Sequence, residues 1–284
     1  MRVILGVDGS EPSLVAQRLL VGAAWPRPLE VTLVSAYERP MDWSGTVALA
    51  FLPSDEVALR AEITGILDEL AEPLRRAGCA IDLVVRAGRA ATVLADVARE
   101  QRADLLVVGN RGRGPARAAL LGSVSAALVD HAPCPVLVAR RSGVRRILFA
   151  VDGSETSDHA ADILVRWRVF ADAHVDVLHV STDAGTDRVA ARMATRLALA
   201  GWATQPMVRT GDAAREITAT AAELDEDLIV TGSRGLGDLQ RMVSGSVAHD
   251  VLLRTGASVL VMRGQVHAAA RERERATSTA AFAY

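Results

Sequence analysis

The chain repeats one pattern at two matched places. Gly109-Asn110-Arg111-Gly112 is followed, after nine residues, by Gly122-Ser123. Gly232-Ser233-Arg234-Gly235 is followed, again after nine residues, by Gly245-Ser246. Each copy is preceded by a short apolar run, Leu105-Leu106-Val107-Val108 in one and Leu228-Ile229-Val230-Thr231 in the other. A strand that feeds a glycine-rich turn and a helix start is an arrangement that cradles phosphate groups.

The repetition extends further. Ile4-Leu5-Gly6-Val7-Asp8-Gly9-Ser10-Glu11 echoes Leu148-Phe149-Ala150-Val151-Asp152-Gly153-Ser154-Glu155, with Asp8 and Asp152 separated by 144 residues. Gly109 and Gly232 are separated by 123, and Val138-Ala139-Arg140 and Val261-Met262-Arg263 keep that spacing. The second half therefore lacks 21 residues present in the first, somewhere between Tyr37 and the Ala87-Gly88 turn. Glu38 to Ser54, with Pro40, Gly45 and Pro53, reads as the insertion. A duplication of this size predicts two similar domains, 1–141 and 142–264, and a flexible C-terminal tail at 265–284. Gly143 falls at the junction, and so short a linker predicts closely packed domains.

Composition narrows the classes. The 284 residues suit two domains of common size, and 50% hydrophobic residues can fill two cores. No apolar run approaches the roughly 18 residues needed to span a bilayer. The first strand pattern begins directly after Met1-Arg2, so a cytoplasmic protein is expected. A net charge of −2 offers no footprint for nucleic acid, and no membrane association is expected. All 32 basic residues are arginine, which excludes a Walker A lysine and an ordinary P-loop NTPase. Cys79 and Cys134 read as reduced, buried thiols. His131, His179 and His249 read as structural.

Strands are expected at Val3–Val7, Val31–Ala36, Ile81–Arg86, Leu105–Val108 and Val136–Ala139 in the first half. The second half repeats them at Ile147–Val151, Val175–Val180, Pro206–Arg209, Leu228–Thr231 and Val259–Met262. Helices fall between, at about Pro12–Ala24, within Ser54–Ala77, at Ala91–Gln101 and from Gly122 to about Asp130. Continuous apolar strands alternating with helices predict α/β domains with a parallel sheet covered on both faces. Ser10 and Ser154 are placed as helix N-caps, with Glu11 and Glu155 in the first turns.

In an open α/β sheet, ligands bind beyond the carboxyl ends of the strands where strand order reverses. Asp8 and Gly109 sit at such ends, as do Asp152 and Gly232. Gly109 and Gly112 would admit backbone amides close to a phosphate, and Gly122, Ser123 and Val124 would present amides at a helix start. Gly232, Gly235, Gly245, Ser246 and Val247 offer the same roles in the second half. Asp8 and Asp152 could bond a ribose hydroxyl, hold a metal or simply cap the local loop. Arg111, Arg113, Arg117, Arg234 and Arg241 are candidates to neutralise phosphates. Ser125 is matched by Ala248, which would remove one phosphate donor from the second site and weaken it.

These residues resemble the universal stress protein family in its tandem two-domain form. The glycine motif is similar to that family's ATP-binding signature, complete in both copies. Val-Asp-Gly-Ser and His131-Ala132-Pro133-Cys134-Pro135-Val136-Leu137-Val138 match the family's opening and ending. The resemblance covers roughly residues 1–263 and implies doubly wound five-stranded parallel sheets in the order 3-2-1-4-5. It implies ATP as ligand, contacts from Asp8 and Asp152, and adenine against the backbone of Ala36 and Val180, with Gly88 and Gly211 nearby. By the family's analogy, Val136–Ala139 and Val259–Met262 would pair within the chain.

The expected function is an ATP-binding stress-response regulator that presents a protein partner with a nucleotide-dependent surface. The resemblance leaves open a Mg2+ ion and a homodimer. The alternative is a slow ATPase or nucleotidyl-transferring enzyme, for which Asp8 or Asp152 would have to act as base; no catalytic residue is assigned.

Overall fold

A computed structural model describes residues 1–38, 53–110, 122–181, 188–232 and 246–263. Among the expected site residues, Gly112, Gly235 and Gly245 lie outside these, as do Arg111, Arg113, Arg117, Arg234 and Arg241, residues 39–52 of the expected Glu38–Ser54 insertion, and the expected tail.

The first half runs β1 (Arg2–Gly6), α1 (Glu11–Gly22), β2 (Glu30–Tyr37), α2 (Pro53–Arg76), β3 (Ala80–Ala87), α3 (Ala90–Glu100), β4 (Leu105–Gly109), α4 (Ser123–His131) and β5 (Val136–Ala139). The second runs β6 (Arg146–Val151), α5 (Glu155–Trp167), β7 (His174–Ser181), α6 (Val189–Leu199), β8 (Ala203–Thr210), α7 (Ala213–Glu223), β9 (Leu228–Gly232), α8 (Ser246–Arg254) and β10 (Ser258–Met262).

All ten strands join one sheet in the order β3-β2-β1-β4-β5-β10-β9-β6-β7-β8. Each half is the 3-2-1-4-5 arrangement, parallel throughout. The halves meet through antiparallel pairing of β5 with β10, where Leu137 faces Leu260, its own counterpart in the repeat. Val136 faces Val261 and Val138 faces Val259, so the seam is self-complementary about that leucine pair. The strand pairing expected within the chain is therefore present.

Helices cover both faces. Side chains of α1, α2, α5 and α6 form one apolar layer with inward residues such as Leu5, Leu33, Phe149 and Val177. Side chains of α3, α4, α7 and α8 form the other with Ile4, Leu106, Leu148 and Ile229. Both layers run across the seam without a break. Trp25 of the first half meets Phe170 of the second edge to face, with ring centroids 6.1 Å apart. Cys79 and Cys134 are buried free thiols, as expected.

Three expectations need correction. The 21 extra residues are not a single inserted loop: α2 has 24 residues against 11 in α6, so the longer helix absorbs most of them. The outermost strands are not continuous apolar runs; both carry polar residues, β8 is largely exposed and β3 mostly half-buried, each having a neighbour on one side only. Ser10 occupies the N-cap position of α1 without capping it, whereas the Ser154 hydroxyl accepts from the Ser157 amide and does cap α5.

Candidate functional site

The parallel strands of each half deliver their carboxyl ends to one edge of the sheet, and strand order reverses between β1 and β4 and between β6 and β9. Since β5 and β10 run antiparallel, the two crevices open on opposite edges of the molecule.

In the first crevice, Asp8 leaves β1 and enters a tight turn. Its Oδ1 accepts from the Ser10 amide at 3.0 Å and from the Ser10 hydroxyl at 2.6 Å. Gly9 has φ of 73°, a left-handed conformation that glycine adopts at little cost, and its counterpart Gly153 has 78°. The turn therefore returns the Asp8 carboxylate toward the start of α1. In the second crevice, Asp152 Oδ1 accepts from the Ser154 amide at 3.0 Å, but its hydroxyl partner is Ser157, at 2.7 Å. Ser13, which corresponds to Ser157, turns its hydroxyl instead to the Ser10 carbonyl at 2.8 Å. Ser157 was not anticipated, although its spacing from Asp152 could have marked it. Local capping, one of the readings open for these aspartates, is what the geometry displays; both carboxylates also sit half-buried at the crevice.

Gly109 ends β4 against the first turn of α1. A Cβ there would lie 2.5 Å from the Pro12 carbonyl carbon and 2.6 Å from its oxygen. This glycine is required by packing of the helix start against the strand end, a reason additional to any approach by phosphate. The contact brings the Asp8 turn and the glycine motif together.

The described part of the motif comprises Gly109 and Asn110 on one side and Gly122 and Ser123 on the other. The Asn110 amide donates to the Ala139 carbonyl at 3.2 Å, and the Gly122 amide donates to the Asn110 carbonyl at 2.8 Å. The Gly122 amide is thus engaged in closing the loop rather than presented to a ligand. Gly122 is the N-cap of α4, and Ser123, Val124 and Ser125 are the residues whose amides have no intrahelical acceptor. Ser123 is exposed and Val124 half-buried at the crevice mouth. The Ser125 hydroxyl, expected to face phosphate, is buried and donates to the Gly122 carbonyl at 3.0 Å and the Asn110 carbonyl at 3.3 Å. It stitches the loop's two ends together.

Ala36 lies near the carboxyl end of β2, half-buried, and Val180 occupies the matching place on β7. The Gly88 amide donates to the Tyr37 carbonyl at 2.8 Å and the Gly211 amide to the Ser181 carbonyl at 3.4 Å, bounding each crevice on that side. Gly232 ends β9, and Ser246 and Val247 begin α8. On β7, the His179 Nδ1 donates to the Val151 carbonyl at 2.7 Å.

Comparison with known proteins fits this geometry. A family model described as the universal stress protein family matches residues 1–140 and 181–263. The chain belongs to the universal stress protein family. The matched segments leave out 141–180, which contain β6, α5, β7 and Asp152, so the second aspartate is placed by the internal repeat rather than by the family match. A universal stress protein of Mycobacterium tuberculosis is 29% identical over 288 residues, covering 92% of this chain and 96% of its own length. One from Thermus aquaticus is 32% identical over 144 residues, which is 97% of that protein and 49% of this chain. A whole single-unit relative thus corresponds to half of this tandem chain. Among solved structures, a universal stress protein from Archaeoglobus fulgidus has a TM-score of 0.69 at 24% identity, covering 92% of this chain and 98% of that one, a likeness of fold. No helix among the described residues is long and apolar enough to cross a membrane.

Proposed function

We propose that this universal stress protein is a regulatory nucleotide-binding protein that takes ATP in each of its two crevices. The observation that carries the reading is the doubled construction. At matched places in both halves, an aspartate turn follows one strand at the switch point, the first motif glycine ends its neighbour, and a helix starts where the motif closes in the sequence. Helix starts attract anions through their unpaired amides and the positive end of the helix dipole. In the first crevice the groups so disposed are Ser123 and Val124 at α4, with Asp8 and Ala36 placed for the ribose and adenine that the family resemblance implies. Asp152, Val180, Gly232, Ser246 and Val247 take these roles in the second. A Mg2+ ion would be carried largely by phosphate oxygens, since the described residues hold no group of three or more potential metal ligands.

Binding rather than turnover is favoured by two features. The chain has no lysine to draw charge from a γ-phosphate. Both candidate bases already accept hydrogen bonds, Asp8 from Ser10 and Asp152 from Ser154 and Ser157. The reading extends to domains at 1–141 and 142–264 with a tail at 265–284, a cytoplasmic setting, and a protein partner, or a second copy, that senses nucleotide occupancy. The test is the nucleotide content of purified protein, denatured and resolved by anion exchange. ATP approaching two per chain supports the reading. Mostly ADP favours the ATPase, and no nucleotide with no uptake on adding ATP overturns both.

A further inference from the structure

The two halves hold each other by a reciprocal contact that the sequence shows only as matched landmarks. Arg140 immediately follows β5 and Arg263 immediately follows β10. Arg140 donates through Nη2 to the Leu252 carbonyl at 2.6 Å and through Nη1 to the Ala257 carbonyl at 3.2 Å. Leu252 lies in the last turn of α8, in the other half. Arg263 donates to the Leu128 carbonyl at 3.3 Å and to the Val129 carbonyl, in the last turn of α4. Val129 and Leu252 are themselves counterparts in the repeat. Val129 needs such a donor, because the residue four positions on is Pro133, which has no amide hydrogen.

The clasped helices are those whose amino ends open the crevices. A nine-residue helix is only about 13 Å long, so its two ends are mechanically one body. A guanidinium at the carboxyl end pairs orphan carbonyls and opposes the negative end of the dipole, leaving the positive end to act on an anion. The connection also reaches back to the opposite site. Asn110, the first residue after β4 in the glycine motif, bonds the Ala139 carbonyl, and Arg140 is the next residue along.

We propose that Arg140 and Arg263 are positioning residues acting across the seam, each setting the phosphate-binding helix of the other half and so coupling the two nucleotide sites. The inference rests on the nucleotide-binding reading above. Ligand in the first crevice bears on Asn110, whose amide bonds the Ala139 carbonyl at the end of β5, and so holds Arg140 on α8. Ligand in the second is aided by that restraint.

The experiment is calorimetric titration with Mg-ATP on full-length chains that retain one usable site. Ser246→Glu sets a carboxylate where phosphate would bind in the second crevice, and Ser123→Glu does so in the first. On the chain with only the first site, Arg263→Gln is expected to weaken ATP by about three- to tenfold and more than Arg140→Gln does. On the chain with only the second site the order reverses. Lysine at either position keeps the charge and a donor and should recover part of the loss. Should a Gln variant melt too low to titrate, the Arg→Lys pair must show the same crossover. Equal effects, or effects confined to the arginine's own half, overturn the clasp while leaving nucleotide binding intact. Failure of the unsubstituted chain to bind ATP overturns both.

Discussion

At the amino ends of the strands, the two halves solve the same problem with different chemistry. In the first half, the Asp104 amide donates to the Arg2 carbonyl at 2.8 Å, the Asp104 carboxylate accepts from the Arg2 amide at 2.8 Å, and the Thr32 hydroxyl bonds Gln101 at 2.7 Å. In the second half, Arg146 and Asp227 keep the arginine–aspartate arrangement. Thr32, however, is replaced by Asp176 and Ala103 by Glu226. Both carboxyl groups are buried, and Arg146 reaches them at 2.6 and 3.3 Å, with His174 3.3 Å from Asp176. Burial, reinforced by the adjacent Asp176 carboxylate and opposed by Arg146, pushes the Glu226 carboxyl up to about 8. The duplication therefore kept the backbone and the seam, let the crevices differ in single hydroxyls such as Ser10 against Ser157 and Ser125 against Ala248, and let the far edge diverge most, into a neutral polar pair on one side and a buried charged cluster on the other. Divergence is thus greatest far from both the seam and the candidate sites.

The largest effect is expected from Gly109→Ala, whose methyl would collide with Pro12 backbone that cannot swing aside. A loss of about 3 kcal/mol in urea unfolding is expected. A loss under about 1 kcal/mol would contradict the close approach of α1 to β4.

Next is the buried glutamate. Its folded-state affinity for a proton exceeds the ordinary value of 4.5, so the folded state binds more protons than the unfolded state across pH 4.5 to 8. Stability from this group is present at low pH and is lost as pH rises through that window. Glu226→Gln should flatten the fall, gaining on the order of 2 kcal/mol relative to the parent between about pH 6 and pH 7.5. Unchanged pH dependence of the denaturation midpoint would remove the contrast between the halves.

Ser125→Ala should cost about 1 kcal/mol, the worth of a buried hydroxyl that ties Gly122 to Asn110. The second half already carries Ala248 there, so a neutral result would mean the loop needs no stitch in either half. The smallest effect is expected from Arg209→Gln, which breaks an exposed ion pair with Glu223 at 3.0 Å on the edge of the sheet. Thermal unfolding should register less than about 0.5 kcal/mol.

Much of this organisation could be read from the residues. The inner strands were legible because burial on both faces enforces unbroken Val, Leu and Ile runs, while the strand order came from the family resemblance and the duplication only made it the same in both halves. The spacing gave the number of extra residues but not their place, since a helix and a loop lengthen a chain alike; α2 took the larger share. The full extent of β8 escaped because an edge strand with Pro206 and exposed polar residues lacks the buried-strand pattern. Of the candidate site, the aspartates, glycines and helix starts were legible from their register. The role of Pro12 against Gly109, the inward turn of Ser125 and the reach of Arg140 and Arg263 into the opposite half depend on contacts between distant segments, which local pattern does not encode.

If each half carries one phosphate-binding helix start, calorimetric ATP stoichiometry of the parent, Ser123→Glu, Ser246→Glu and the double variant reads them out one by one. About two, one, one and no ATP per chain are expected, following the two helix starts. Two ATP retained by either single variant, or none bound by the parent, would contradict that assignment.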